Sequence, residues 1–274
     1  MSQTTDLTFF DRPEFLETIF PLVYSPFFFQ DHHGSSAVDI PDYSVKVAEE
    51  TEISCGFWIK GEGCPSILYF HGNGETVADY HWIAPLYNQR EINLFVADYR
   101  GYGFSDGKPT ISNMLADAHI ILKGLKKIIR EKGLRQTRPF IMGRSLGSMP
   151  AIELAMNYQD EICGLIIESG SANNFRRLWD YPGAPDKLIV SDKKGSFLNK
   201  IKIKQVRQPT LIIHGEYDEI LPASEGKELY QGSGAQDKEF LLIPGAGHNN
   251  IMMVDQELYF DTIARFVHAR ERNN

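Results

Sequence analysis

The sequence predicts an α/β fold built on a mostly parallel sheet. Short, continuous apolar runs recur along the chain: Ser66–Phe70, Ile92–Ala97, Pro139–Met142, Gly164–Ile167, Thr210–Ile213 and Glu239–Ile243. Strands covered on both faces read this way. Between them lie longer stretches whose apolar residues recur at helical spacing. Strand–helix alternation implies right-handed crossovers and a parallel sheet, with chemistry at the carboxyl ends of the strands.

The elements follow in order. Residues 1–42 are expected to form an N-terminal segment packing on the core. Within it, 15–29 (FLETIFPLVYSPFFF) is greasy but carries Glu17, Pro21 and Pro26. It is also shorter than the ~20 apolar residues of a bilayer crossing. Two readings stand for it: packing against the domain, or peripheral contact with a membrane surface or partner. Tyr43–Ala48 and Ile53–Ile59 alternate loosely and predict a leading antiparallel pair. Ile111, Met114, Leu115, Ala118, Ile121, Leu122, Leu125, Ile128 and Ile129 mark one helix. Ile251, Val254, Leu258, Ile263, Phe266 and Val267 mark another near the C-terminus. Ser169 to Gln208 has no sustained period and is too long for an ordinary connection. It is read as a short cap at about 170–207, inserted into a single domain spanning 43–272.

Composition narrows the function classes. The 274 residues hold 28 basic and 36 acidic side chains, a net charge of −8. No basic stripe is present, and an acidic surface repels a phosphate backbone, so nucleic acid is excluded as the expected partner. Lys123, Lys126 and Lys127 read as a solvated helix face. Three cysteines (Cys55, Cys64, Cys163) leave one over in any pairing and are expected to be buried thiols of a reducing compartment. Met1 to Asp11 lacks a positive n-region and an apolar h-region, and the expected location is the cytoplasm.

The chemistry-bearing motif is Gly143-Arg144-Ser145-Leu146-Gly147. The pattern G-x-S-x-G is weak alone, and the chain repeats it at Gly103–Gly107. Context separates the two. A nucleophile elbow must leave a strand and enter a helix at once, because the strained turn lifts the serine Oγ off the sheet edge. Ser145 follows Pro139–Met142 and precedes the helix former Ala151–Tyr158, with Pro150 tolerated near the first turn. Ser105 runs into Gly107 and Pro109, which break structure.

A serine hydroxyl needs a base. His248, in Gly245-Ala246-Gly247-His248-Asn249-Asn250, lies in the loop after the last strand. The other histidines fit less well. His71 and His214 end strands as His-Gly pairs and are expected to bond their own loops. His81, His119 and His268 fall in helical patterns, and His32 and His33 in a polar N-terminal stretch. An acid must fix the imidazole tautomer. Asp218, after the strand Thr210–Ile213, is the candidate, with Glu168, Glu216 and Glu219 as rivals. Backbone N–H groups must meet the oxyanion. Leu146 supplies one, and Asn73, in the loop His71-Gly72-Asn73-Gly74, supplies the second. Asp98 and Arg100 are either a catalytic acid and an anion clamp or, the favoured reading, a charge-assisted hydrogen bond holding the loop Asp98–Gly107.

Together HGNG, DYRGYGFSDG, GRSLGS, HGEYDEILP and GAGHNN resemble, in order and spacing, the α/β-hydrolase superfamily, over roughly Tyr43 to Arg270. The finer texture, including Phe197–Ile201 leading into Val206 and Pro209–Gly215, is similar to the small α/β-hydrolase-domain group that includes protein depalmitoylases. The resemblance implies an eight-stranded sheet. It also implies a serine hydrolase of esters, thioesters or amides, with Ser145, Asp218 and His248 as its triad and no metal or organic cofactor. The expected substrate is a small-molecule acyl ester or thioester. An aminopeptidase or amidase on the same triad, and a non-enzymatic ligand-binding member of the fold, are the alternatives. The membrane-bound members' N-terminal transmembrane helix or palmitoylated cysteine cluster is not present in this sequence. Phe175, Leu178, Trp179 and Tyr181 in the cap are candidate walls for an acyl chain, and Arg176 and Arg177 either meet a substrate anion or are solvated. Asp180, Asp186 and Asp192 are the carboxylates there that an aminopeptidase would need.

Overall fold

A computed structural model of the chain describes residues 10–20, 23, 43–135, 137–174 and 198–271. Most of the cap, including Phe175, Leu178, Trp179 and Tyr181, therefore lies outside the described residues, as does most of 21–42. Eight strands form a mostly parallel sheet in the order β1-β2-β4-β3-β5-β6-β7-β8. The chain divides into two compact units, one of Leu7–Phe140 and one running from Ile141 onward.

In the first unit, helix α1 (Pro13–Ile19) precedes β1 (Tyr43–Ala48) and β2 (Thr51–Trp58). These two strands pair antiparallel, and β2 also runs antiparallel to β4 (Asn93–Ala97). β3 (Ser66–Phe70) pairs parallel with β4. Every residue of β3 and β4 is buried, which is why their sequences carry no alternation. A short helix α2 (Ala84–Asn88) precedes β4. The long helix α3 (Ile111–Glu131) starts at Thr110, whose hydroxyl accepts the Asn113 N–H at 3.0 Å. Such a cap contributes about 1 kcal/mol. Its apolar stripe, from Ile111 to Ile129, is buried apart from half-buried Ile128, while Lys123 and Lys127 are exposed and Lys126 is half-buried. On α1, Phe15, Leu16 and Ile19 are buried in the same unit.

The Asp98–Gly107 loop corrects one expectation. Asp98 and Arg100 do not bond each other. Asp98 Oδ1 takes the His71 ring at 3.1 Å and the Val77 N–H at 2.8 Å. Arg100 instead forks onto both oxygens of Asp117 on α3, each at 2.7 Å. An Arg fork needs a carboxylate facing it squarely, and α3 offers one. Ser105, in the second G-x-S-x-G, is a loop staple: its Oγ accepts the Ser54 N–H at 2.9 Å.

In the second unit, β5 (Phe140–Arg144) leads through the turn Ser145–Gly147 into helix α4 (Ser148–Asn157). β6 (Gly164–Glu168) pairs parallel with β7 (Thr210–Gly215), and β7 with β8 (Lys238–Ile243). Helices α5 (Asn199–Lys202) and α6 (Ala223–Gly232) flank β7 in the chain. The single C-terminal helix of the sequence reading is two helices, α7 (Ile251–Val254) and α8 (Gln256–Glu271). Asp255 breaks it. Its backbone is non-helical (φ −146°, ψ 84°), and its Oδ1 accepts the Leu258 N–H at 3.0 Å as a fresh cap. Val254 and Leu258, counted toward the buried face, are 43% and 38% exposed. All three cysteines are buried and none is in a disulfide. No described helix is long and apolar enough to cross a membrane.

Candidate active site

Ser145 sits at φ 50°, a left-handed conformation rare for a side chain bearing Cβ. Such strain persists only where the surroundings over-determine it. They do so here through Gly143. A Cβ at that position would strike the Gly147 carbonyl and lie 2.7 Å from the Ala151 Cβ. The turn into α4 thus leaves no room for a side chain at Gly143. Ser148 Oγ donates to the Ser145 carbonyl at 2.6 Å and fixes the far side of the turn.

The Ser145 hydroxyl lies 2.9 Å from His248 Nε2, and His248 Nδ1 lies 2.7 Å from Asp218 Oδ2. An ionised carboxylate only accepts, so Nδ1 carries the ring proton and Nε2 presents its lone pair to the serine O–H. Asp218 and His248 are both buried. Asp218 Oδ1 accepts the N–H groups of Ile220 and Leu221 at 3.0 and 2.7 Å. His214 Nε2, bonded to the Leu221 carbonyl at 2.7 Å, stands 3.3 Å from Asp218 Oδ2. Burial alone would push the Asp218 carboxyl up. Hydrogen bonds from His214, His248 and the Leu221 N–H outweigh that and hold it well below the usual carboxylate range.

The folded pKa of Asp218 lies below the unfolded value of about 3.9. The carboxylate's contribution to stability is therefore complete above that value and is lost as pH falls through the window beneath it. Wild-type protein should lose stability more steeply than Asp218→Asn below ~pH 4, read by urea titration at stepped pH. Parallel profiles would show that the carboxylate is not anchored this way.

The rival acids have other work. Glu216 Oε2 accepts the Gly245 N–H at 3.0 Å, and Glu219 Oε2 the His248 N–H at 3.3 Å. Both brace the histidine's loop. Glu168 bonds Arg144 and the Tyr259 hydroxyl. Leu146, the residue after the serine, lies in the turn that opens α4. Asn73, in the first unit, is pinned by its side chain: Tyr102 O–H donates to Oδ1 and Nδ2 donates to the Ile19 carbonyl, both at 2.6 Å.

A family model described as "Serine aminopeptidase, S33" matches residues 62–204. The chain belongs to this family of α/β hydrolases. The hydrolase is 32% identical over 205 residues to human alpha/beta hydrolase domain-containing protein 17B, covering 74% of this chain and 66% of that protein. The Xenopus laevis protein of the same name is 32% identical over 211 residues, covering 74% and 68%. The hydrolase thus spans about two thirds of the length of these relatives. Its fold is shared with the Pyrococcus furiosus esterase Pf2001, at a TM-score of 0.68 and 20% identity over 85% of this chain and 93% of that one.

Three residues around the hydrolase's candidate site carry little local signal in the sequence. Arg144 occupies an x position of G-x-S-x-G, and nothing local marks its partners. His214 bonds its own loop, as its His-Gly position suggests, but its reach to Asp218 depends on the turn after β7. Gly215 has a signal only in hindsight: a Cβ there would meet the carbonyl oxygens of Ala246 and Gly247 at 2.6 and 2.7 Å. Those are backbone atoms of the His248 loop and cannot rotate away. Gly215→Ala should destabilise the hydrolase by about 1–3 kcal/mol through overpacking. Its kcat should fall ~10-fold or more as the loop is displaced. A thermal melt and a kcat at wild-type level would both argue that the loop yields freely.

Proposed function

We propose that this hydrolase cleaves a carboxylic ester or thioester through an acyl-enzyme formed on Ser145. The observation that carries the reading is the continuous relay from Ser145 Oγ to His248 Nε2 at 2.9 Å and from His248 Nδ1 to Asp218 Oδ2 at 2.7 Å. His248 takes the serine proton as Oγ attacks the carbonyl carbon. Asp218 holds the ring in the Nδ1–H tautomer and stabilises the imidazolium that forms. The N–H groups of Leu146 and Asn73 are assigned as the oxyanion's donors on the sequence reading. Each such donor is worth about 10²–10³ in rate. The leaving alcohol or thiol departs with the proton from His248, and water then repeats the path to release the acid.

The family description favours one other reading, an aminopeptidase on the same triad. That activity needs a carboxylate placed to hold the substrate's α-ammonium. The cap carboxylates proposed for it, Asp180, Asp186 and Asp192, lie outside the described residues. A turnover panel of p-nitrophenyl esters, acyl thioesters and aminoacyl anilides separates the two. The expected result is turnover of esters or thioesters with anilides at background. Preferred turnover of the anilides would establish the aminopeptidase instead. The expected location of the protein is the cytoplasm, which fluorescent tagging of the full chain would test.

A further inference from the structure

Arg144 is the last residue of β5 and the immediate neighbour of the nucleophile. Its side chain is 7% exposed and that of its partner Glu168 is 1% exposed. A buried guanidinium needs its donors matched, and the partners here are specific. Nε meets Glu168 Oε1 at 3.2 Å. Nη2 donates to the backbone carbonyl of His248 at 3.0 Å and to Asn249 Oδ1 at 2.9 Å. The second Glu168 oxygen accepts the Tyr259 hydroxyl, from α8, at 2.6 Å. The residue preceding the nucleophile is thus bonded directly to the backbone of the base.

We infer that Arg144 is a positioning residue that sets how far His248 stands from Ser145. The loop Gly245–Asn250 carries two glycines and has no regular structure of its own to fix the imidazole. Its N–H side is held by Glu216 and Glu219. Its carbonyl side at His248 is held by Arg144. One guanidinium, braced through Glu168 by Tyr259, therefore ties the His248 backbone to the strand end whose next residue presents Oγ. Lysine cannot reproduce this. It carries the charge as a compact ammonium without the planar fork that spans Glu168 and the loop together.

The inference rests on the acyl-transfer reading, and the test separates the two. Arg144→Lys is compared with wild type for kcat, KM and the second-order rate of labelling by a fluorophosphonate probe, with probe stoichiometry counting the folded sites. The expected result is a kcat ~10²-fold lower, KM within ~3-fold, full final stoichiometry and a labelling rate reduced in step with kcat. A residue that only stabilised the fold would lower the stoichiometry and leave the rate per labelled site unchanged. That result, or wild-type kcat, overturns the inference. Should Arg144→Lys fail to fold, Asn249→Ala at an exposed position decides: it removes one acceptor of the same fork, and a ~10-fold lower kcat supports the role while wild-type kcat overturns it. Wild-type protein that is not labelled at Ser145 would instead sink the acyl-transfer reading and the inference with it.

Discussion

Ser145→Ala should lower turnover of the best ester or thioester substrate by about 10⁵–10⁶-fold, leaving KM nearly unchanged. The substitution removes only Oγ, and α4, the elbow and the His248–Asp218 pair do not depend on that atom for packing. Secondary structure and melting temperature should therefore stay close to wild type. Relief of the strained φ of 50° at this residue does not follow, because alanine carries the same Cβ. A residual rate above the uncatalysed reaction is expected, since the proposed backbone donors and substrate binding do not depend on Oγ. Turnover within tenfold of wild type would mean that another group attacks the carbonyl.

Asp218→Asn is expected to have the next largest effect, a loss of about 10⁴ in kcat. The amide places an N–H donor among groups that all donate to a carboxylate. Asp218 receives the His248 ring, the His214 ring and two backbone N–H groups. An asparagine can accept on one atom only, so it favours the His248 tautomer with the proton on Nε2, which cannot deprotonate serine. The loss should exceed that from Glu168→Gln, Glu216→Gln or Glu219→Gln. A larger loss from Glu168→Gln would transfer the role of the acid to the Arg144–Glu168 pair.

What the sequence made legible was what the backbone itself dictates. An uninterrupted run such as Ser66–Phe70 reads as a fully covered strand because no face of it is wet. The elbow reads because a strand, a glycine without room for Cβ and a helix must follow at fixed spacing. The meeting of His248 with Ser145 and Asp218, at 2.9 and 2.7 Å, was open to expectation because both loops follow a strand end in the chain order Ser, Asp, His. The less legible parts depend on side chains meeting across long separations. Arg100 finds Asp117, not Asp98, because α3 brings that carboxylate to it. Arg144 finds the His248 carbonyl over 104 residues of sequence. The break at Asp255 hides inside a sound apolar period, since a capping aspartate can end one helix and begin the next without disturbing the pattern.

Mass spectrometry of the full chain after reaction with a fluorophosphonate, followed by peptide mapping, tests the central claim most directly. One adduct per protein, on the peptide holding Ser145 and absent when Ser145→Ala protein is treated alike, is the predicted result. An unmodified chain, or an adduct carried by Ser105, Ser148 or any other residue, would contradict it.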